Sequence, residues 1–218
     1  MGEGIAHIIS PLSAPWCGWT MLLLFLCGIL SEWFQPGVLS QATQSITAHT
    51  NRTYKDAPTN FFGQVLVNIF RIGTLAMMLC LCFHADHSFS FASFGLACGL
   101  IIAIMLIKMM GNALILYTFD INRHFGTSYE HYSNIASVAI LVLYPAALIL
   151  LQIDNDIISR WVLGVVAVLF FGTWCYRAAR SFVESPGALI YLVIYLITWE
   201  FVPAAALLYV SAKTISLI

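Results

Sequence analysis

Six long apolar stretches separate the polar parts of this chain, and they restrict its fold more than any other feature. A helix that spans the hydrocarbon core of a bilayer needs about 20 mostly apolar residues, each adding about 1.5 Å of length. Stretches of this kind lie at 16–34, 61–83, 91–117, 133–152, 161–177 and 187–210. Only 9% of the residues are charged, whereas a soluble domain carries about 25%. We therefore predict one all-α domain over residues 1–218, a polytopic transmembrane bundle of six spanning helices.

The positions of lysine and arginine predict the orientation of this bundle. Cytoplasmic loops of membrane proteins retain an excess of these residues. With the N-terminus outside, the inner segments hold five of them and the outer segments two: Arg52, Lys55, Arg123, Arg177 and Arg180 inside, Arg160 and Lys213 outside. This distribution predicts that both termini are periplasmic and that the polar segment 35–60 is a cytoplasmic loop.

Three ionisable residues fall inside predicted spans: Arg71 in the second, Lys108 in the third and Glu200 in the sixth. A charged side chain at the centre of a spanning helix costs about 2.5–3.5 kcal/mol on insertion scales, so such groups usually face the bundle interior and bind one another. Counted from the inner ends of their helices, the three lie about 15, 14 and 20 Å deep. The length of these side chains and a tilt of the helices compensate for the difference in depth between the three residues. We predict an intramembrane charge network of Glu200, Lys108 and Arg71.

Four further residues are candidates to shape or extend this network. Pro203 lacks the N–H that would bond the carbonyl four residues earlier, so it predicts a kink in the sixth helix close to Glu200. The carbonyl left without its partner then has to be satisfied by a neighbour, a water or a cation. Tyr195 lies on the same helix and carries a hydroxyl, and Asn68 and Asn112 each lie about one helical turn from one of the two basic residues.

The charge network has three possible roles. In the one that we favour, Glu200 and one base form a structural salt bridge that fixes the helix register. Alternatively, Glu200 carries protons or couples ion movement, or the charges contact a partner subunit. In another interpretation, the side chain of Arg71 or Lys108 extends towards the inner headgroups.

The sequence lacks the signatures of a catalytic or nucleic-acid-binding chain. It contains no H-E-x-x-H, no G-x-S-x-G and no glycine-rich phosphate loop, so we predict that the protein is not an enzyme. His84, Asp86 and His87 are more typical of a solvated turn than of a metal site, and no histidine lies deep enough in a span to hold haem. We expect neither a metal nor another cofactor. A formal net charge of -1 without a basic block also makes nucleic acid an unsuitable partner.

Small residues and cysteines inside the spans favour packing over chemistry. Gly95, Ala97 and Gly99 in the third span, and Gly164 and Gly172 in the fifth, are of the kind that lets transmembrane helices approach closely. The six cysteines lie almost entirely in apolar runs, where cysteine behaves as a small hydrophobic residue.

Four motifs in the second half of the chain carry a family resemblance: LIKMMGNALILYTF with Lys108, the loop YEHYSN, LYPAALIL with Pro145, and the terminal YLVIYLITWEFVP with Glu200 and Pro203. In these motifs the chain resembles a family of Bacteroidota membrane proteins known as domain of unknown function four-two-seven-one. The similarity covers about residues 60–212. It implies a multi-pass protein of the bacterial inner membrane, with Lys108 and Glu200 as the residues of first interest, and it implies no particular activity.

Two functions from different classes are consistent with these features. The short loops and the missing catalytic motifs favour a non-enzymatic integral subunit of a larger envelope complex, with the lipid bilayer and other membrane subunits as its partners. The alternative is a small proton- or ion-coupled transporter that uses Glu200, with Lys108 or Arg71 as the counter-charge.

Overall fold

The structure, a computed structural model of the chain, describes residues 15–35, 60–83, 90–119, 122–153, 155–182 and 201–215. These residues form helices and contain no strand, which confirms the all-α class. In chain order the helices are α1 (Pro15–Phe34), α2 (Phe61–Phe83), α3 (Phe91–Phe119), α4 (Asn122–Ile153), α5 (Asp156–Phe182) and α6 (Val202–Ile215).

Five of the described helices are long and apolar enough to cross a membrane: Pro15–Phe34, Phe61–Phe83, Phe91–Gly111, Ser133–Ile153 and Ile157–Tyr176. The chain therefore has the character of an integral membrane protein. Most of the sixth predicted span, 187–210, lies outside the described residues, which resume at 201, and α6 extends from its last part to Ile215. The loop predicted at 35–60 lies almost entirely outside them too.

Helices α4 and α5 are longer than the apolar stretches that predicted them. Helix α4 begins at Asn122 rather than near residue 133, and α5 runs from Asp156 to Phe182 rather than from 161 to 177. A helix satisfies its backbone hydrogen bonds within the segment, so it continues through polar residues wherever they do not favour a turn. Hydropathy marks the membrane-embedded part of a helix and misses these extensions.

Helix α2 is the centre of the described bundle, because it contacts each of the other five helices. Of the residues in its spanning window, 67% are buried within the chain, against 11% for α5. The burial is concentrated in the second half of the helix, from Gly73 to Cys82, whereas Phe61, Phe62 and Ile69 in the first half are exposed. The position of α2 therefore sets the position of any group that it carries.

Two hydrophobic clusters pack on different sides of α2. In the first, Met77, Met78 and Leu81 pack with residues of α1 and α4: Cys17, Met21, Leu24, Ile140, Leu143, Ala147, Leu150 and Leu151. In the second, Ala76, Leu79 and Cys80 pack with Ala97 and Ile101 of α3, and Leu207 of α6 lies against them. Together the clusters hold α2 between α1 and α4 on one side and α3 and α6 on the other.

Helices α1 and α2 approach each other closely at Gly73 of α2. A Cβ atom placed on Gly73 would overlap Leu24 Cδ2 of α1, a side chain that is only 2% exposed. The expectation that small residues serve helix packing is confirmed for Ala97, which is fully buried. It is wrong for Gly95 and Gly99, which are exposed and have no atom of the described residues within 4 Å of a Cβ built there.

Aromatic rings and one asparagine tie the end of α1 to the start of α2. The rings of Phe34 and Phe62 meet edge to face with centroids 4.9 Å apart. Asn60 donates from its side-chain amide to the Phe34 carbonyl at 3.4 Å, and its side-chain oxygen accepts from the Phe62 N–H at 3.2 Å. The second of these bonds is an N-terminal cap of α2, so the antiparallel α1–α2 pair has a fixed register.

Candidate functional site

Arg71 occupies the middle of the central helix. It lies ten residues from Phe61 and twelve from Phe83, or about 15 and 18 Å from the two ends of α2 at the helical rise. Its side chain is half-buried. A charged group at this depth in a bilayer requires polar partners inside the bundle.

Helix α4 supplies three oxygen partners to this guanidinium. Arg71 Nη1 donates to Ser133 Oγ at 3.1 Å, and Nη2 donates to the Ser133 carbonyl at 3.0 Å and to Ser137 Oγ. Hydrogen bonds with a charged donor are stronger than those between neutral groups. The guanidinium therefore holds α2 and α4 together in a fixed orientation. We call Arg71, Ser133 and Ser137 the arginine clamp.

The two serines are one helical turn apart on α4, so their side chains lie on the same face. Ser137 Oγ also donates to the Ser133 carbonyl at 3.0 Å, a bond within its own helix. Ser137 is 2% exposed. One hydroxyl thus bonds both its own helix and the guanidinium of α2, which orients it towards α2.

Phe70 and Tyr144 extend the contact between α1, α2 and α4 next to the clamp. The Tyr144 hydroxyl of α4 donates to the Met21 carbonyl of α1 at 3.0 Å. Its ring lies 5.4 Å from the Phe70 ring, centroid to centroid, and is stacked 6.2 Å from the Phe25 ring. A buried tyrosine usually places its hydroxyl on a polar partner in this way, so α4 is anchored to α1 as well as to α2.

Three predicted network residues lie on α2 and α3. Lys108 is half-buried on α3, and Asn68 is exposed on α2, one turn before Arg71. Asn112 follows Lys108 by one turn on α3, but its side chain lies outside the described part of the structure.

The remaining predicted residues lie at the C-terminal end of the chain. Glu200 and Tyr195 fall outside the described residues, so their pairing with a base stays a prediction. Pro203 is the second residue of the described part of α6 and is half-buried. Because the chain is described only from Phe201 onwards, the predicted kink also stays a prediction.

The serine partners of Arg71 were missed by the sequence reasoning, although the sequence contains a usable signal. Serine side chains in membrane helices commonly form hydrogen bonds across helix interfaces. The S-x-x-x-S spacing of Ser133 and Ser137 puts two hydroxyls on one face at the start of an otherwise apolar span. Inspecting spans for paired hydroxyls as well as for opposite charges finds these candidates.

Two further hydroxyls are fully buried, one on α2 and one on α6. Thr74 of α2 and Ser211 of α6 are fully buried, and among the described residues neither side-chain oxygen has a hydrogen-bond partner. The two helices contact each other. Buried polar atoms of this kind are commonly satisfied by water.

Metal-ligating residues are dispersed in the described part of the chain. No group of three or more histidine, cysteine, aspartate or glutamate residues there is placed to hold a metal ion. The six cysteines are free thiols, three buried and three half-buried.

Comparison with known proteins finds a match to a protein family. A family model described as Domain of unknown function (DUF4271) matches residues 18–210. No curated protein and no solved structure matches the chain.

Proposed function

This chain belongs to the family described as Domain of unknown function (DUF4271), and we propose that it is a non-enzymatic integral subunit of a larger complex in the bacterial inner membrane. The proposal includes a bundle of six spanning helices with both termini on the periplasmic side. Reporter fusions at the two termini test the orientation: alkaline phosphatase is expected to be active at both ends, and activity of a cytoplasmic reporter at either end contradicts it.

The arginine clamp is the observation that carries the proposal. Two terminal nitrogens of Arg71 donate to one backbone and two hydroxyl oxygens of α4. A transport site has to release a charged group and bind it again as access alternates between the two sides of the membrane. A guanidinium that donates to three oxygens of a packed neighbouring helix favours a fixed contact between α2 and α4 over one that changes during transport. A subunit with a structural role requires such a fixed contact.

A salt bridge between Glu200 and Lys108 or Arg71 completes the proposed network. Glu200→Gln keeps the size of the side chain and removes its charge, so it removes the counter-charge of a half-buried cation inside the membrane. Breaking a buried pair in this way costs about 3–5 kcal/mol. We expect Glu200→Gln to lower the stability of the purified chain strongly and a second change, Lys108→Met, to restore part of it. Equal stability of Glu200→Gln and the unchanged chain contradicts the pairing.

Copurification tests the subunit proposal directly. The tagged chain is extracted from native membranes in a mild detergent and is expected to migrate with companion membrane proteins. A photo-crosslinking residue at Leu106, which is 54% exposed on α3, is expected to capture such a companion, whereas one at Ile101, 4% exposed on the same helix, serves as the control. A chain that migrates alone and gives no crosslink at exposed positions contradicts the proposal.

The second candidate function is a small proton- or ion-coupled transporter that uses Glu200. The buried hydroxyl of Ser211 on α6, the helix that follows Glu200, favours it, because this oxygen has no hydrogen-bond partner among the described residues. Proteoliposomes containing the chain and a pH-sensitive dye are expected to show proton movement that Glu200→Gln abolishes and Ser31→Ala leaves unchanged. Proteoliposomes no leakier than empty vesicles, under both proton and sodium gradients, contradict this alternative.

A further inference from the structure

Five tryptophan and tyrosine side chains are exposed in the described part of the chain, each between 65% and 80%, and they lie on three different helices. They are Trp19 and Trp33 on α1, Trp161 and Tyr176 on α5, and Tyr209 on α6. Side chains of these two types concentrate at the two interfaces between a membrane and water. Their levels along the bundle therefore indicate where the surfaces of the bilayer lie.

Helix α2 provides a common scale for these levels, because α1, α5 and α6 all contact it. Helix α1 is antiparallel to α2, with Leu24 against Gly73. Trp19 lies five residues before Leu24, so it is level with a point of α2 about five residues from Gly73 in the direction of Phe83. Trp33 lies nine residues after Leu24, so it is level with a point about nine residues from Gly73 in the opposite direction.

Helix α5 is antiparallel to α2 as well, because it begins beside the last residues of α2 and packs back along it. Arg160 Nε donates to the Cys82 carbonyl at 2.8 Å. Trp161 follows Arg160 directly, so it is level with a point about eight residues from Gly73 on the Cys82 side. Tyr176 comes 15 positions later and is level with a point about seven residues from Gly73 on the other side.

Tyr209 lies on the same side of Gly73 as Trp161. It follows Leu207 by two residues, and Leu207 packs against the cluster that contains Cys80. All five exposed side chains therefore lie at two levels, which we call the aromatic girdles. The first girdle is Trp19, Trp161 and Tyr209, and the second girdle is Trp33 and Tyr176.

The two girdles are about 21–23 Å apart. Trp19 and Trp33 are separated by 14 positions, and Trp161 and Tyr176 by 15, at about 1.5 Å each. Side chains of a helix tilt towards its N-terminus, and α1 and α5 run in the same direction, so the tilt moves both girdles equally. The hydrocarbon core of a typical bilayer is about 30 Å thick, so the girdles are closer together than its two surfaces.

The surface between the girdles is apolar, and charged residues mark its ends. Glu32 precedes Trp33, and Arg160 precedes Trp161. A core of the usual thickness extends past at least one girdle and takes the charged residue beside it into hydrocarbon, which costs free energy. A core as thick as the girdle spacing leaves both charges at the interfaces. On α1 and α5 the large exposed side chains between the girdles are Leu22, Leu23, Phe25, Leu26, Ile29, Leu30, Val165, Val168 and Leu169.

We propose that this protein is matched to a thin bilayer, with a hydrocarbon core of about 21–23 Å, and that it prefers lipids with short acyl chains. In a thicker bilayer an apolar band of this length requires local thinning, at a cost that grows with the mismatch. The preference belongs to the lipid-facing surface, so it goes beyond the proposed function and holds for a subunit and for a transporter alike.

Thermal unfolding of the full chain in lipid vesicles tests this proposal. The vesicles consist of phosphatidylcholine with two identical monounsaturated chains of increasing length: myristoleoyl, palmitoleoyl, oleoyl or eicosenoyl. The unfolding midpoint is expected to be highest in one of the two shorter lipids and to fall with each longer chain.

Two exchanges of residues on α5 assign the preference to the girdles. Ile157→Trp with Trp161→Ile moves the ring one turn, about 6 Å, away from the second girdle, so the lipid with the highest midpoint is expected to become longer by at least one member of the series. Trp161→Val with Val165→Trp moves the ring as far towards the second girdle, so the best lipid is expected not to lengthen and the midpoint to fall more steeply with chain length. All three positions are exposed, and both exchanges keep the composition of the chain, so each is the control for the other.

Three results overturn the proposal. The first is a midpoint that is highest in the oleoyl or eicosenoyl lipid. The second is an equal midpoint in all four lipids. The third is an outward exchange that leaves the best lipid unchanged, or two exchanges that shift it in the same direction, because the girdles then do not set the preference.

Discussion

Replacing Ser137 by alanine tests whether the arginine clamp stabilises the bundle. The substitution removes a single oxygen that lies between α4 and α2, and it leaves the bonds from Arg71 to Ser133 in place. It also removes the bond from Ser137 to the Ser133 carbonyl within α4. Because Ser137 is 2% exposed, neither lipid nor bulk water replaces the lost oxygen directly.

Two general magnitudes bound the expected effect. Hydrogen bonds between membrane helices contribute about 0.6 kcal/mol on average and about 1.7 kcal/mol at most. Hydrogen bonds to charged groups contribute about 1.5–3 kcal/mol in proteins generally. The bond between Arg71 and Ser137 is both a hydrogen bond between membrane helices and a hydrogen bond to a charged group, so we place its free energy where the two ranges overlap. We therefore expect an interaction free energy between Arg71 and Ser137 of about 1.5 kcal/mol.

A double-mutant cycle isolates this free energy from other consequences of the substitutions. Arg71→Met alone changes the desolvation of a charge as well as its bonds, so the sign of its own effect is uninformative. The cycle combines Arg71→Met and Ser137→Ala and compares the free energies of unfolding of the four proteins. Unfolding by sodium dodecyl sulfate in mixed micelles, followed by tryptophan fluorescence, supplies those values.

Ser159 provides the control for the same measurement. It is 1% exposed on α5, and its hydroxyl donates to the Asn155 carbonyl of its own chain segment at 3.1 Å. Ser159→Ala and Arg71→Met are expected to be additive within about 0.5 kcal/mol, as independent sites are. An interaction free energy between Arg71 and Ser137 as small as this control value refutes the clamp as a source of stability.

Two further substitutions test the packing around α2. Gly73→Ala places a methyl group against a buried side chain of α1, and overpacking of this kind lowers the free energy of unfolding by about 1–3 kcal/mol. Gly95→Ala is the control, because Gly95 lies in open space, and its free energy of unfolding is expected to stay within about 0.5 kcal/mol of that of the unchanged chain. Equal effects of the two substitutions contradict the close approach of α1 and α2 at Gly73. Tyr144→Phe keeps the ring and loses the bond to the Met21 carbonyl, so thermal unfolding in detergent is expected to show a loss of about 0.5–1.5 kcal/mol. Tyr209→Phe, at an exposed position on α6, is the control, and a similar loss there removes the hydrogen bond as the explanation.

Hydropathy predicts where helices cross the membrane but not which sides of them face protein. The spans of α2 and α3 have mean hydropathies of 2.0 and 2.2, yet 67% of one window is buried inside the chain and 17% of the other. Lipid and protein interior are both apolar, so the same residue types suit both environments. The central position of α2 therefore depends on tertiary packing that the apolar pattern does not encode.

The charges were easier to predict than their partners. Arg71 stands out because lipid penalises it, whereas Ser133 and Ser137 suit an apolar helix and a polar contact almost equally. Their relation to Arg71 also spans 62 and 66 positions of sequence, so no local pattern links them. Gly73 is a similar case, since its contact with α1 depends on the register of two helices rather than on its own segment.

The separation between Arg71 and its serines has a consequence for biosynthesis. Ribosomes add about 5–20 residues per second, so Ser137, 66 positions later, follows the arginine by about 3–13 s. During that interval the nascent second helix carries a cation whose eventual acceptors do not yet exist. The charge therefore has to be stabilised by the protein-conducting channel, by lipid phosphates or by a companion protein until the fourth helix has been synthesised.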